Sequence, residues 1–313
     1  MSERIITEVD GRPLTLSNLD RPLFPTGFTK SELISYYLEI AEVLLPHVCE
    51  RAVTRVRFPQ GTNGASFFEK NAPAGAPPWV RTAEVASDSG TVNYVTVADR
   101  ATLAWLANIA AIELHAPQWR FCDSTSGPTG AVLEGPKEPR ATTLIVDLDP
   151  GPGITPKDCA KAAIIAATTL TELGLEPQVK LSGNKGLQLS APLQPTPASA
   201  VFTFARSLAN HLSDRHPSLF VATMSKQDRG GRVFVDYAQN LAARNTVVAY
   251  SVRGLRQPSV AVPLSWEEVA SFQEGPMPSV TPAEALSRVQ RFGDLWLPML
   301  PYGQGPVLPE PIA

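Results

Sequence analysis

The chain has 313 residues, 43% of them hydrophobic and 18% charged, with a formal charge of −3. That balance excludes an intrinsically disordered chain and a surface coated throughout with positive charge, while the length admits one large core or two lobes. No apolar run reaches membrane-spanning length and the opening MSERIITEVDGRPL lacks the layout of a signal peptide, so a cytoplasmic location and no membrane partner are expected.

Thr29-Lys30-Ser31-Glu32 is a capping box, predicting a helix over SELISYYLEIAEVLL with Leu33, Tyr36, Ile40, Val43 and Leu44 on its apolar stripe. AVTRVRF and VNYVTV read as strands. Asp99 caps a helix predicted through RATLAWLANIAAIEL, which sets His115 just past a helix end beside Pro117 and Trp119. TTLIVDLD is the next strand, followed by a helix from Thr155-Pro156 to Gly174, strands at PQVKLS and GLQLSAP, and a helix over ASAVFTFARSLANHLSDRH that stops at Pro217. RVFVDYA and NTVVAYSVR are strands, Thr281-Pro282-Ala283-Glu284 starts a last helix, and PMLPYGQGPVLPEPIA reads as an extended surface tail. Strands and helices interleave irregularly, which predicts an α+β fold of mixed or antiparallel sheets flanked by helices rather than a doubly wound parallel sheet.

The segment TTLIVDLDPG places two acids one residue apart at the end of an apolar strand. Side chains alternate along a strand, so Asp147 and Asp149 share a face roughly 7 Å apart along the backbone, close enough to converge on one cation or two neighbouring ones. Asp236 closes the apolar strand of GRVFVDYAQN in the same manner and is the candidate third carboxylate. Three strand-end acids without a histidine or cysteine cluster form a hard oxygen site suited to Mg²⁺ or Mn²⁺; the competing reading is that D-x-D only opens the turn at Pro150. Cys49, Cys122 and Cys159 lie far apart, fitting buried thiols better than a zinc site or a disulfide framework. In KLSGNKGLQL the glycines of Ser182-Gly183-Asn184-Lys185-Gly186 permit a tight turn with exposed N–H groups, and Lys185 adds a cation, so the loop is either a phosphate cradle or a plain hairpin tip. Phe67 and Phe68 of FFEKN point to opposite sides if extended, leaving one for the core and one for stacking on a base, with core packing of both as the default. Arg51, Arg55 and Arg57, then Lys226, Arg229 and Arg232, then Arg244, Arg253 and Arg256 are the basic clusters.

D-L-D-P, S-G-x-K-G-L, V-F-V-D-Y-x-Q-N and Y-S-V-R, in that order, resemble the polymerase domain of bacterial DNA ligase D, a branch of the archaeo-eukaryotic primase superfamily. The likeness runs from LTLSNLD to VPLSWEEV and takes in R-x-x-x-R-x-R-F, F-F-E-K-N, P-x-W-V and E-L-H-x-P-Q-W-R. It implies a stand-alone primase-polymerase domain over about residues 1–300, with an amino-terminal lobe to about 140, a catalytic lobe over about 141–260, carboxy-terminal helices over about 261–300, and a tail at 301–313. By the same resemblance, Asp147, Asp149 and Asp236 hold two divalent ions, Mn²⁺ or Mg²⁺, for template-directed nucleotidyl transfer to a primer 3′-hydroxyl. The likeness further implies that Ser182 and Lys185 contact a nucleoside triphosphate, that Gln239 and Arg253 line its site, and that His115 sits beside its sugar, with ribonucleotides preferred. Asn18, Arg21 and Lys30 fall where relatives hold the 5′-phosphate of gapped or broken DNA, with Arg21 in place of the usual lysine, and Phe67 and Phe68 fall where relatives pack on template bases. The Asp88-Ser89-Gly90 turn matches a surface hairpin used at broken ends. A separate DNA ligase, an end-binding protein and a nucleoid-associated location are implied with that role.

The departure from the family pattern is Gln188, placed by the resemblance in the nucleotide site where relatives carry histidine; its amide can still donate to a phosphate oxygen but cannot take up a proton or a positive charge. A non-catalytic or weakly active 5′-phosphate DNA-end binding module is therefore the alternative to the enzyme. A haloacid-dehalogenase-like phosphatase shares the strand and D-x-D, but that chemistry expects Thr or Val two residues after the second acid, where this chain has Gly151.

Overall fold

The computed structural model describes residues 4–87, 90–121, 132–134, 138–301 and 303–312. The chain divides into two compact units, one made of Met1–Lys137, Val247–Val260 and Val280–Gly293, the other of Glu138–Thr246, Ala261–Ser279 and Asp294–Ala313. The architecture is mixed α+β, as the irregular interleaving predicts. Among the described residues no helix is long and apolar enough to cross a membrane.

The second unit is built on a six-stranded sheet with Arg140–Pro150 in its interior. That strand pairs antiparallel with Val233–Asp236 on one side and Leu187–Pro197 on the other. Gln178–Leu181 and Pro263–Leu264 extend the sheet beyond Leu187–Pro197, and Phe220–Val221 adds a parallel strand outside Val233–Asp236. Leu144, Ile145, Val146 and Leu148 are all buried, the continuous apolar run of a strand covered on both faces. Helices Pro156–Glu172 and Ala198–Arg215 pack on this sheet. The first begins with Thr155 and Asp158 capping one another and Pro156 in the first turn; the second buries Val201, Phe204, Ala205, Leu208 and Leu212 at helical spacing.

Where Val233–Asp236 ends, the chain turns into a short 3₁₀ segment, Tyr237–Asn240, and the ladder with Arg140–Pro150 loses its next partner. Asn240 replaces it. Its Oδ1 accepts from the Ile145 N–H at 2.9 Å and its Nδ2 donates to the Ile145 carbonyl at 2.8 Å, so a buried amide side chain completes the strand's hydrogen bonding. Residues 303–312 carry no helix or strand. They are tied down by Gln194 N–H to the Pro306 carbonyl at 3.0 Å and Ile312 N–H to Ser207 Oγ at 3.0 Å.

The first unit opens with a hairpin, Arg4–Val9 with Arg12–Ser17, whose Asp10-Gly11 turn has both residues at positive φ, 50° and 77°. Thr54–Arg57 lies between Phe67–Glu69 and Ala111–Ala116, antiparallel to both. A second sheet holds Gly90–Val95, Thr82–Ser87 and Val132–Glu134, with Ala52, Ala83, Tyr94, Trp119 and Phe121 forming a small core. Tyr37 donates to the Ile112 carbonyl at 2.7 Å and Tyr36 to that of Tyr250 at 2.8 Å, satisfying two buried hydroxyls.

Two helix boundaries differ from the sequence reading. SELISYYLEIAEVLL forms two helices, Lys30–Glu39 and Ala41–Val48, because Ile40 relaxes to φ −81°, ψ −6° while its side chain stays buried. The helix capped by Asp99 stops at Asn108; Ala110 takes φ 59°, and the following residues become the strand Ala111–Ala116. Alanine-rich local propensity favours continuing the helix, yet pairing with Thr54–Arg57 buries Ala111, Ile112 and Leu114 completely, and tertiary burial wins. His115 consequently sits within a strand. Cys49 and Cys159 are free thiols, the first half-buried and the second buried, whereas Cys122 lies outside the described residues.

Replacing Asn240 with alanine strands the buried amide and carbonyl of Ile145, at about 1–3 kcal/mol for each unsatisfied group. Asn240→Ala should therefore lower the denaturation midpoint clearly, while Asn240→Asp, which still accepts from Ile145 N–H, should lower it by a different amount that shrinks at acid pH where the carboxyl can donate.

Candidate active site

Strand register assembles the acidic cluster. Asp147 faces Asp236 across one strand boundary and Gln188 across the other, and Gln188 in turn faces Lys180. Directly paired residues share a face of a sheet, so Asp236, Asp147, Gln188 and Lys180 form one row across four strands. Asp149 lies two residues along from Asp147 on the same face. One carboxylate oxygen from each of Asp147, Asp149 and Asp236 falls within 4.8 Å of the others, with Asp149 exposed and the other two half-buried.

Three acids that close repel one another. Burial, then the Asp149 charge, push the Asp147 carboxyl up to about 7, against the pull of Lys180 and the Gln188 hydrogen bond. Desolvation and the Asp236 charge likewise raise Asp149, with Arg229 opposing. An all-oxygen cluster whose charges are this poorly compensated fits a hard divalent cation, with Asp147, Asp149 and Asp236 as its ligands.

The surrounding side chains hold these ligands rather than neutralise them. Gln239 donates to Asp236 Oδ2 at 2.8 Å and the Ala238 N–H to Oδ1 at 3.1 Å. Gln188 is buried and donates Nε2–H to Asp147 Oδ1 at 3.3 Å. Lys180, also buried, lies with its ammonium 5.6 Å from the centre of the Trp296 ring. Arg229, which the sequence offered only as one member of a basic cluster, stacks its guanidinium 3.6 Å over Phe234, the residue paired with Asp149.

The Ser182–Gly186 loop reaches the same strand end. A Cβ at Gly186 would lie 2.3 Å from the carbonyl of Leu148, so only glycine allows this contact between loop and strand. Ser182 Oγ accepts from the Gly186 N–H at 3.2 Å and the Asn184 N–H at 3.4 Å, which closes the turn and leaves Lys185 exposed at its tip.

In the first unit, His115, Glu113 and Arg253 form a second polar group. Glu113 Oε2 accepts from His115 Nε2 at 2.8 Å and pairs with Arg253 Nε at 3.2 Å, and Oε1 accepts from the Gly254 N–H at 2.8 Å. Burial alone would raise the Glu113 carboxyl, but the His115 hydrogen bond, the Arg253 charge and the Gly254 N–H hold it down at about 2. Glu113 has no recognisable signal in the sequence beyond its place in E-L-H.

Phe67 and Phe68, for which core packing is the default reading and template stacking what the resemblance implies, are 50% and 57% exposed on the strand Phe67–Glu69. Phe68 meets the His115 ring edge-on at 6.1 Å between centroids, whereas Phe67 shares the opposite face with Glu69, which pairs with Arg55 and Arg57. Asn18, Arg21 and Lys30 are drawn together by the backbone, Arg21 N–H to the Asn18 carbonyl at 3.2 Å and Lys30 N–H to that of Arg21 at 2.9 Å. Asn18 is exposed with φ 52°, and the Arg21 guanidinium donates to Gln60 at 2.6 Å. Lys30 is buried, donates to the Ser17 carbonyl at 2.7 Å, and has its ammonium pushed below the usual lysine value by burial and by Arg21. Asp88, Ser89 and the side chain of Lys226 lie outside the described residues.

Comparison with known proteins gives one consistent result. Residues 29–296 match the sequence model described as LigD, primase-polymerase domain. The chain is 40% identical over 286 residues to the multifunctional non-homologous end joining protein LigD of Mycolicibacterium smegmatis, covering 91% of this chain and 36% of that protein. It is 39% identical over 284 residues to LigD of Mycobacterium tuberculosis H37Rv, with 90% and 36% covered, and 32% identical over 277 residues to the bifunctional LigD of Bacillus subtilis, with 86% and 40% covered. The chain thus spans well under half the length of these relatives. Its fold superposes on the polymerase domain from Mycobacterium tuberculosis ligase D in complex with DNA, with TM-score 0.85 and 39% identity, covering 92% of this chain and 98% of that one.

Because the folded chain holds the Asp147 proton more tightly than an unfolded chain does, this group favours folding most below the ordinary carboxylate value of 3.8 and progressively less as pH rises towards 7. In chelator at neutral pH, Asp147→Asn should therefore melt a few degrees higher than the native chain, and the gap should close near pH 4. Millimolar Mn²⁺ should raise the melting temperature of the native chain and leave that of Asp147→Asn nearly unchanged.

Proposed function

The chain belongs to the LigD primase-polymerase domain family, and from that membership we propose that it is a template-directed nucleotidyltransferase that extends primer 3′ ends at short gaps or breaks in DNA end joining. The observation that carries this reading is the cluster of Asp147, Asp149 and Asp236, one oxygen of each within 4.8 Å of the others. Two divalent ions held there, Mn²⁺ or Mg²⁺, would activate the primer hydroxyl and neutralise triphosphate charge.

The chain's own groups divide the remaining work. Gln239 and the Ala238 amide fix Asp236, and Gln188 fixes Asp147, so the acids are oriented before a substrate arrives. In the second unit, Lys185, exposed on its glycine-bounded loop, contacts the triphosphate with Ser182 and Gln239; in the first, His115 and Arg253 are the groups offered to the nucleotide. In this reading the incoming sugar carries a 2′-hydroxyl. Asn18, Arg21 and Lys30 hold a 5′-phosphate, for which two neighbouring basic groups with no carboxylate paired to either among the described residues are suited. The exposed rings of Phe67 and Phe68 stack on template bases. A separate DNA ligase would seal the product and an end-binding protein would deliver the break, on nucleoid DNA.

Gln188 bears on the alternative of a non-catalytic end-binding module. Its amide donates to Asp147, so the glutamine that stands in place of the usual histidine supports a carboxylate of the acidic cluster, which favours the enzyme.

Primer extension on a gapped duplex with a recessed 5′-phosphate, run with each nucleotide set and each metal, tests the reading. Native protein should add template-matched ribonucleotides, and Asp147→Ala should lose activity on the order of 10²–10³-fold or more while still binding the DNA. Equal extension by Asp147→Ala, or none by the native chain, overturns it. Gln188→Leu removes a charge-assisted hydrogen bond worth about 1.5–3 kcal/mol and should lower kcat/KM by roughly 10–100-fold, whereas Gln188→His should stay within about tenfold of native. Reversing charge at Arg21 should abolish the preference for 5′-phosphorylated over 5′-hydroxyl gaps, read as the ratio of the two affinities, and leave extension of an ungapped primer intact.

A further inference from the structure

We propose that Glu113 is a positioning residue for the nucleotide site, a single anchored carboxylate that fixes which atoms His115 and Arg253 present to the substrate. This deepens the nucleotidyl-transfer reading and rests on it for the identity of the substrate.

Glu113 and His115 are two residues apart on the strand Ala111–Ala116 and therefore share a face, while Arg253 arrives from the short strand Val252–Arg253. Both oxygens of Glu113 are committed, Oε2 to His115 and Arg253, Oε1 to the Gly254 N–H. That last contact depends on a glycine. A Cβ at position 254 would overlap the ring of Phe58, its nearest ring atom 2.2 Å away, so the residue following Arg253 must lack a side chain to lie where its N–H can reach Glu113.

The consequences fall on the two partners. An ionised carboxylate has no hydrogen to give, so His115 Nε2 must carry the hydrogen between them, which leaves Nδ1 as the ring atom that makes no hydrogen bond among the described residues. The edge of Phe68 packs on the same ring and resists its rotation. Arg253 meets the carboxylate through Nε, the nitrogen nearest its stem, as a charge contact at 3.2 Å without hydrogen-bond alignment, which places the pairing beside the stem rather than at the terminal fork. The exposures fit the assignment: the Glu113 side chain is 9% exposed, while those of His115 and Arg253 are 13% and 17% exposed. A buried ion network serving only the core would close over all three.

Nucleotide addition by Glu113→Gln, which keeps the shape and removes the charge, separates positioning from mere structure. The nucleotide KM should rise roughly tenfold with kcat within about threefold of native, since the interaction lost is one of binding geometry. In a His115→Ala, Arg253→Ala background, Glu113→Gln should add nothing further, because its effect passes through those two residues. Imidazole ¹⁵N spectra, tractable with four histidines in the chain, should show His115 in the Nε2–H form in the native protein and a mixture of tautomers in Glu113→Gln. An unchanged KM, an undiminished effect in the double-variant background, or a native His115 protonated only at Nδ1 each overturns the proposal. Should Glu113→Gln fail to fold, Glu113→Asp, which keeps the charge and withdraws it by one methylene, must show an intermediate KM or the proposal falls. The spectra need no substrate, so failure of the clamp is distinguishable from failure of the native chain to add nucleotides.

Discussion

The mutual repulsion of three carboxylates fixed on two neighbouring strands is the constraint around which the second unit is organised. Asp147 and Asp149 are placed by one strand and Asp236 by its antiparallel partner, and neither strand can withdraw its acid without slipping register and turning its apolar residues out of the core. The repulsion is left largely standing. Lys180 and Arg229 act on single members of the cluster, one seated against Trp296 and the other stacked on Phe234. The amides of Gln188 and Gln239 orient oxygens without adding positive charge. A cluster left this poorly compensated is destabilising for the fold unless a cation relieves it, the kind of compromise found at functional sites.

Much of this was legible in the sequence because the two periodicities involved are local. Alternation placed Asp147 and Asp149 on one face and marked Asp236 as a strand-end acid, and the capping boxes at Thr29, Thr155 and Thr281 each start a helix as read. TTLIVDLD, GLQLSAP and RVFVDYA each contribute a strand to one sheet, although the second strand runs on to Pro197 and the third ends at Asp236. What alternation cannot supply is which strands pair and in which register, so the row of Asp236, Asp147, Gln188 and Lys180 was out of reach, and Lys180 looked like any lysine.

The misreadings have the same origin. RATLAWLANIAAIEL carries strong helix propensity throughout, and nothing within it announces that Ala110 will turn left-handed and that the next six residues will form a strand alongside Thr54–Arg57. With that strand hidden, Glu113 and His115 could not be seen to share a face, and Glu113 received no role. From the residues alone the core is the default for large aromatics such as Phe67 and Phe68; the edge position of their strand, set by long-range pairing, exposes both.

Glu113 and Asp147 show how one chemical group is put to opposite uses. Both are buried enough that desolvation pushes their carboxyls upward. Around Glu113 a histidine, an arginine and a backbone N–H more than cancel that push, so the carboxylate is an internal strut whose bonds are all made within the protein. Around Asp147 the nearest charges are mostly other acids, so the protein leaves its charge largely uncompensated. The direction of each shift thus separates a carboxylate compensated within the protein from one left largely uncompensated. It does so without reference to any relative, because a fold that satisfied Asp147 as fully as Glu113 would have no remaining affinity for a cation.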